Sequence, residues 1–381
     1  MKQGWEYGFL EDAVNKASSN ISLNKIKGDD GYYPVFGAKG FVKNVSFYQQ
    51  ESEYLGIIKD GAGIGRVSRH PEKSSILATM QYILPKKGFD IQFINYFLNY
   101  IDFEKYRTGS TIPHIYYKDY KSEPFPLVNI EEQKRIVAKL DECFEAIDKA
   151  RANVEKNLNN AKELFQSQLN QIFSQKGDGW VEKELMDILE LQPRNGWSPP
   201  SKYHANTGTP VLTLSSVTGF NFNLSKIKFT SAPIDQSAHY WVNNDDLLIT
   251  RSNTLELVGH VAICKGIINP VIYSDLIMKM KINPSMANTR FIYYQLRTTR
   301  LRRLIKYRAK GASSTMQKIN KLTVQSLPIV LPTIKIQKHL VNEFEIFKNK
   351  MESLESNYQQ ELDALDELRK SILQKAFNGE L

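Results

Sequence analysis

Proline and glycine are missing from two long stretches of this 381-residue chain: neither occurs between Ile130 and Ser174 or between Thr333 and Phe377. Stretches of that length without a breaker exclude turns and hairpins and leave continuous helix. Cysteine is scarce. Cys143 and Cys264 lie in different halves, which excludes a disulfide framework and reads as two reduced thiols. No apolar run approaches membrane-spanning length, and Met1-Lys-Gln-Gly-Trp lacks a signal-like apolar region. The expected location is cytoplasmic.

Catalytic equipment is also missing. No phosphate loop of the Walker type occurs. Asp60-Gly-Ala-Gly-Ile-Gly superficially resembles a dinucleotide fingerprint, but the next element reads as a strand where that motif requires a helix, so a turn is expected. No Asn/Asp-Pro-Pro-aromatic motif of adenine methyltransferases is present. The histidines His70, His114, His204, His239, His260 and His339 show no metal-ligand spacing. The expectation is a non-enzyme that binds no metal or cofactor.

What the chain does have is a heptad seam, twice. In the first helix Val137, Leu140, Phe144, Ile147, Val154, Leu158, Ala161, Phe165 and Ile172 recur in steps of three and four, with Arg151 and Gln168 as polar members. At about 1.5 Å per residue that helix is roughly 65 Å long. In the second, Leu340, Phe344, Phe347, Met351, Leu354, Tyr358, Leu365, Leu368 and Ile372 do the same. One such helix reads as a buried bundle helix, whereas two, each closing a half of the chain, read as an antiparallel pair. Each opens with a matching tag, Ile130-Glu-Glu-Gln-Lys and Ile334-Lys-Ile-Gln-Lys, after a Pro-bearing strand-like run.

The segments before the helices repeat as well. Gly4-Trp5-Glu6 and Gly179-Trp180-Val181-Glu182 open the halves, and core packing is the expected role of the two tryptophans. A helix is expected over Leu10–Ala17, and strands over Tyr33–Phe36, Glu53–Lys59, Arg66–Ser68 and Ile76–Leu84. Phe93–Tyr106 reads as a helix, followed by the loop Arg107-Thr-Gly-Ser-Thr. In the second half Asp246-Leu-Leu-Ile-Thr-Arg, Gly259-His-Val, Phe291-Ile-Tyr-Tyr-Gln-Leu and Lys306-Tyr-Arg-Ala-Lys-Gly-Ala-Ser-Ser-Thr follow in the same order. This is an internal duplication. Residues 20–50 and 192–244 share little, so the frame repeats while one part varies. Gln175-Lys-Gly-Asp-Gly reads as the hinge between halves.

The formal net charge is +9 and the pI about 9.2, which favours an anionic partner. Between Asp275 and Glu343 there is no acidic residue, although fourteen lysines and arginines occur there. That run reads either as a basic surface or as a track for phosphates. The loops Arg107–His114 and Lys310–Lys318 read equally as phosphate seats and as ordinary turns. Arg107, Ser110, Thr111, His114, Arg308, Lys310, Ser313, Ser314 and Lys318 are the candidates there. Base readers are sought where the halves differ: Lys39, Lys43, Arg66, Arg69, His70 and Lys73 in the first, Arg194, Asn195, Lys202, Arg251, Ser252, Asn253 and His260 in the second. Arg suits guanine and Asn suits adenine, each by paired hydrogen bonds, although any one of these residues also reads as plain surface.

The duplicated plan, Arg107-Thr-Gly-Ser-Thr followed by Phe125-Pro-Leu-Val-Asn-Ile-Glu-Glu-Gln-Lys-Arg-Ile-Val, and the end Leu373-Gln-Lys-Ala-Phe-Asn-Gly-Glu-Leu resemble the specificity subunit of type I restriction–modification enzymes over the whole length. The resemblance implies an α+β fold of two tandem α/β target recognition domains, each followed by a long helix, the two helices pairing as an antiparallel coiled coil. The expected division is 1–129 and 176–332 for the domains, 130–175 and 333–381 for the helices. It implies that each domain reads one half of a split site in double-stranded DNA and that the chain has no catalysis of its own. Two modification subunits that use S-adenosylmethionine would dock on it, and restriction subunits needing ATP and Mg would complete the complex. The second tag lacks the Glu-Glu of the first, which reads as drift in a docking surface. The reading set against this one is a coiled-coil scaffold with two protein-binding domains. A third is the specificity part of a fused restriction–methylation system, whose methyltransferase would have to be a separate chain.

Overall fold

The computed structural model describes residues 5–175, 177, 179–311, 313 and 315–381. Gly4 and, in the expected hinge, Lys176 and Asp178 lie outside the described residues, as does Ser314. The chain forms two compact units: Met1–Lys156 with Tyr358–Leu381, and Asn157–Asn357.

The first unit is built on a four-stranded antiparallel sheet in the order Val14–Ser18, Met80–Pro85, Tyr54–Ile58, Val67–His70. Tyr54–Ile58 is buried along its whole length, as a central strand covered on both faces must be. A smaller sheet runs Gly40–Val45, Tyr33–Gly37, Ser75–Ile76, the last pair parallel. The second unit repeats this order. Leu189–Asn195, Ile277–Ile282, Leu247–Thr250 and Val261–Ile263 form its four-stranded sheet. Its smaller sheet has grown to five strands around the parallel pair Thr209–Leu212 and Val271–Tyr273. Each unit also carries a two-stranded ladder that ends at a long helix: Tyr7–Phe9 with Pro124–Pro126, and Val181–Glu184 with Pro328–Leu331.

The long helices span Ile130–Ser174 and Ile334–Phe377 and pair antiparallel in each unit. In the first unit Arg135 Nη2 donates to the Leu381 oxygen, Arg369 pairs with Asp148 at 3.0 Å, and Arg151 pairs with Asp366. Partner numbers fall as helix numbers rise. In the second unit Phe165 stacks on Phe347 and Phe173 on Phe344 in the same sense. The heptad reading holds through the middle of the first helix, where Leu140, Phe144, Ile147, Val154 and Ala161 are buried, and Phe344 is buried in the second; towards the ends neighbouring residues share or take over the inward face. Ile136, Leu169, Phe173, Val341, Leu362, Leu373 and Phe377 are buried, while Leu368 is 47% exposed.

The tags' shared glutamine faces inward. Gln133 is fully buried; its Oε1 accepts from the Asp90 backbone N–H at 2.8 Å, and its Nε2 donates to the carbonyls of Val128 and Gly88. Gln337 repeats this: its Oε1 accepts from the Asn288 N–H at 2.8 Å and its Nε2 donates to the Pro332 carbonyl. Asp90 and Asn288 cap the helices Ile91–Tyr100 and Thr289–Leu296. One buried amide thus fixes each unit's repeated helix to the start of a long helix. The Gln is common to both tags, whereas the Glu-Glu belongs to the first only.

Three local expectations are corrected. The helix expected over Leu10–Ala17 stops at Ala13, because Val14–Ser18 pairs with Gln81–Pro85. Phe93–Tyr106 is a helix only to Tyr100, and Asp102 caps a separate 3-10 turn over Phe103–Tyr106. Ile76–Leu84 is two strands in two sheets, with a turn between them. Trp5 and Trp180 pack at the edges of the two cores, as expected.

Candidate nucleic-acid interface

Each sheet's central strand runs into a junction built the same way in both units. In the first, the Ile58 carbonyl accepts from Gly65 N–H, the Lys59 carbonyl from Ile115 N–H, and Thr108 and His114 exchange two backbone hydrogen bonds. In the second, Thr250 accepts from Gly259, Arg251 from Ile319, and Lys310 and Lys318 exchange two. Gly65 and Gly259 both have positive φ, at +79° and +73°, and a Cβ on either would strike the Phe103 or the Ile305 side chain. The backbone frame therefore sets Lys59, Asp60, Thr108 and His114 against Arg251, Ser252, Lys310 and Lys318.

The charges at these equivalent positions differ. Asp60 lies 2.6 Å from Lys59 Nζ and 2.7 Å from His114 Nδ1. Partial burial opposes its ionisation, but those two hydrogen bonds outweigh it and hold the carboxyl below its ordinary range. The second unit has no acid in this position. Arg251, Arg308, Lys310 and Lys318 line one cleft of about 570 Å³, together with Asn320 and Tyr307, a tyrosine that is 88% exposed.

A second cleft, in the first unit, gathers Lys39, Arg66, Arg69 and His70 beside Phe36 and Phe41, about 440 Å³ in volume. Arg66 is exposed and donates to the Ala38 carbonyl at the tip of the Tyr33–Gly37 hairpin. Arg69 pairs with Glu53. His70 is buried, stacked against Tyr54 and Phe36, with Ser68 Oγ 2.8 Å from its Nε2; burial lowers its pKa to about 4. It serves the wall of the cleft as a neutral ring.

The remaining candidates are not gathered. Lys43 pairs with Asp30, Lys73 with Glu51 at 3.9 Å, and Arg107 with Glu104. Ser110 and Thr111 are exposed in the loop before His114. Arg194 and Lys202 are exposed away from the basic cleft, Lys202 lying over the Tyr203 ring. The Asn195 Oδ1 is buried and accepts no hydrogen bond among the described residues. Ser252 is buried, and the Asn253 side chain is engaged with Thr218 and Thr254. His260 is buried against Phe220, its Nδ1 accepting from Gly219 N–H; burial and then the Arg302 charge lower its pKa to about 4. Ser313 bonds to Thr315, and Ser314 lies outside the described residues.

The acid-free run is not a bare track. Lys279 pairs with Asp246, Lys281 with Glu190, Arg290 with Glu345, Arg300 with Glu182 and Lys306 with Glu256. Arg297 is enclosed by the rings of Phe165, Phe220, Tyr293 and Tyr294, and Arg302 is buried beside Phe220. Sequence reasoning missed Tyr307 and Phe41, whose exposure no periodicity signals. Among the described residues no group of three or more His, Cys, Asp or Glu is placed to hold a metal ion, and no helix is long and apolar enough to cross a membrane.

A frame used twice, each copy carrying a basic cleft and an unlike outer sheet, is the architecture of a duplicated nucleic-acid reader. The chain belongs to the family described as type I restriction modification DNA specificity domain, which it matches over residues 2–157 and 177–364. It is 24% identical over 383 residues to the type I restriction enzyme EcoKI specificity subunit of Escherichia coli strain K12, covering 96% of this chain and 81% of that one. The StySPI specificity subunit of Salmonella potsdam is 24% identical over 396 residues, with the same coverage. Among solved structures, a chain from a study of assembly and conformational transition in the type I R-M system superposes with a TM-score of 0.75 at 17% identity, covering 100% of this chain and 99% of that one. The HsdS subunit from Thermoanaerobacter tengcongensis gives 0.52 at 16%, covering 99% and 97%. At these identities the structural likeness bears on the fold.

Proposed function

We propose that this chain is the sequence-reading, non-catalytic subunit of a type I restriction–modification complex acting on double-stranded DNA in the cytoplasm. Each unit reads one half of a split site. The observation that carries this is the pairing of one repeated frame with two unlike outer sheets, since unlike readers on like frames recognise unlike half-sites. The reading modules are residues 1–129 and 176–332, and the helices of 130–175 and 333–381 join them. Two modification subunits dock on the chain and supply S-adenosylmethionine chemistry. Restriction subunits supply ATP- and Mg-dependent cleavage.

The test is co-expression with the modification partner and base-resolution mapping of methylated plasmid DNA. N6-methyladenine in one split motif with a fixed gap is the expected result. Replacing 1–125 with the corresponding segment of another such subunit then changes one half of the motif only. A partner complex that forms, yet methylates no motif and binds DNA without sequence preference, would overturn the proposal.

A further inference from the structure

The two units share a junction but not its electrostatics. In the first, the Asp60 carboxylate sits between Lys59 and His114 and satisfies both. In the second, the buried Ser252 takes the place of Asp60, and Arg251, Lys310 and Lys318 line the adjoining cleft, where Arg251 Nη1 donates to the Asp275 carbonyl at 3.3 Å. Within the acid-free run, acids from other parts of the chain reach several cations, as Glu256 reaches Lys306 and Glu182 reaches Arg300. No acid reaches this cluster: among the described residues neither Arg251, Arg308, Lys310 nor Lys318 is in an ion pair. A set of like charges left facing one cleft raises the energy of the free protein and is relieved by an anion. The cleft's volume of about 570 Å³ accommodates a phosphodiester with its sugar. Exposed Tyr307, in the same wall, offers a ring face and a hydroxyl to the group beyond it.

We propose that the junction of the second unit is a phosphate seat formed by Arg251, Lys310 and Lys318, and that Asp60 occupies the corresponding seat of the first unit as an internal anion, so that backbone anchoring is one-sided. This rests on the reading of the chain as a DNA-binding subunit and adds where the backbone is held. The ligand is a phosphate oxyanion, and its source is the DNA backbone.

The experiment is fluorescence anisotropy of the full chain with a 30-base-pair duplex over a salt series. A lysine contact to one phosphate contributes about 0.9 to the slope of log affinity against log salt. The Lys310→Gln/Lys318→Gln double variant is expected to lose about 1 from the slope and about 10-fold in affinity at low salt. Lys59→Gln is expected to change neither, because Asp60 already neutralises that lysine. Asp60→Asn, which vacates the seat of the first unit, is expected to gain about 1 in slope. A merely structural role for these residues would not produce that gain. A wild-type chain that binds the duplex, with a double variant whose slope is unchanged, overturns the seat and leaves the DNA-binding reading intact. Thermal stabilisation by inorganic pyrophosphate that the double variant loses, in a chain that does not bind the duplex, overturns the DNA source. A chain that shows neither duplex binding nor stabilisation by pyrophosphate overturns the proposal outright.

Discussion

Removing the buried amide of Gln133 should loosen one helix of the first unit and leave the second unit's counterpart unchanged. Gln133 makes three hydrogen bonds, to Asp90 N–H at 2.8 Å, the Val128 carbonyl at 2.8 Å and the Gly88 carbonyl at 3.2 Å. Gly88 is exposed and water can replace its bond. The other two groups sit in half-buried backbone, where an unmet polar group costs about 1–3 kcal/mol. Gln133→Ala therefore destabilises by about 2–3 kcal/mol. The same step at Gln337 removes the bonds to Asn288 and Pro332 and costs about as much. The assay is hydrogen exchange read by peptide. Amides of Ile91–Tyr100 should exchange about 30- to 150-fold faster in Gln133→Ala, with those of Thr289–Leu296 unaffected, and the pattern should reverse in Gln337→Ala. Lys134→Ala, at the exposed neighbouring position, is the control and should change nothing. Equal protection of Ile91–Tyr100 in wild type and Gln133→Ala would refute the clamp.

Gly259→Ala should lower the melting temperature of the second unit, by about 2–3 kcal/mol in stability, because its φ of +73° disfavours an L side chain and the new Cβ would lie 2.5 Å from Ile305 Cγ2. His70 and His260 have folded pKa values of about 4, below the 6.5 of the unfolded chain. The native state resists the proton that the unfolded state takes up, so their contribution is complete above pH 6.5 and is lost as pH falls from 6.5 towards 4, by roughly 3 kcal/mol each. A chemical-denaturation series across that window reads the loss, and a flat profile would refute it. Arg297→Lys keeps the charge but loses the planar contact with four rings, and should cost about 1–2 kcal/mol in the second unit by the same assay.

The duplication and the paired helices were legible because their signals are local: breakers absent over long spans, apolar steps of three and four, and tags in matching order. Gly65-Arg-Val and Gly259-His-Val correspond as strings, and the same glycines anchor both junctions in space. What escaped was non-local. Leu368 fits a heptad as well as Leu362 does, yet only Leu362 is buried, because packing across the unit, not the count, sets the face. Gln133 reads as a polar residue on a helix until the backbone of Asp90 comes within 2.8 Å of it. The fourteen cations after Asp275 read as one surface until acids distant in sequence, such as Asp246 and Glu190, pair with some and leave others bare.

The first unit is discontinuous in sequence, and that fixes an order of events during synthesis. Its core includes Phe377, whose ring meets those of Phe93, Phe97 and Tyr100. Residues 1–156 leave the ribosome with that part of the core unfilled, and the segment that fills it arrives only after Asn157–Asn357 has been made. At ~5–20 residues per second the wait is roughly 10–40 s. The nascent first unit spends that interval with apolar surface open to water, whereas the second, contiguous in sequence, closes as it emerges. A chaperone captured on nascent chains should therefore bind those arrested within 157–357 and let go once the finished chain has left the ribosome.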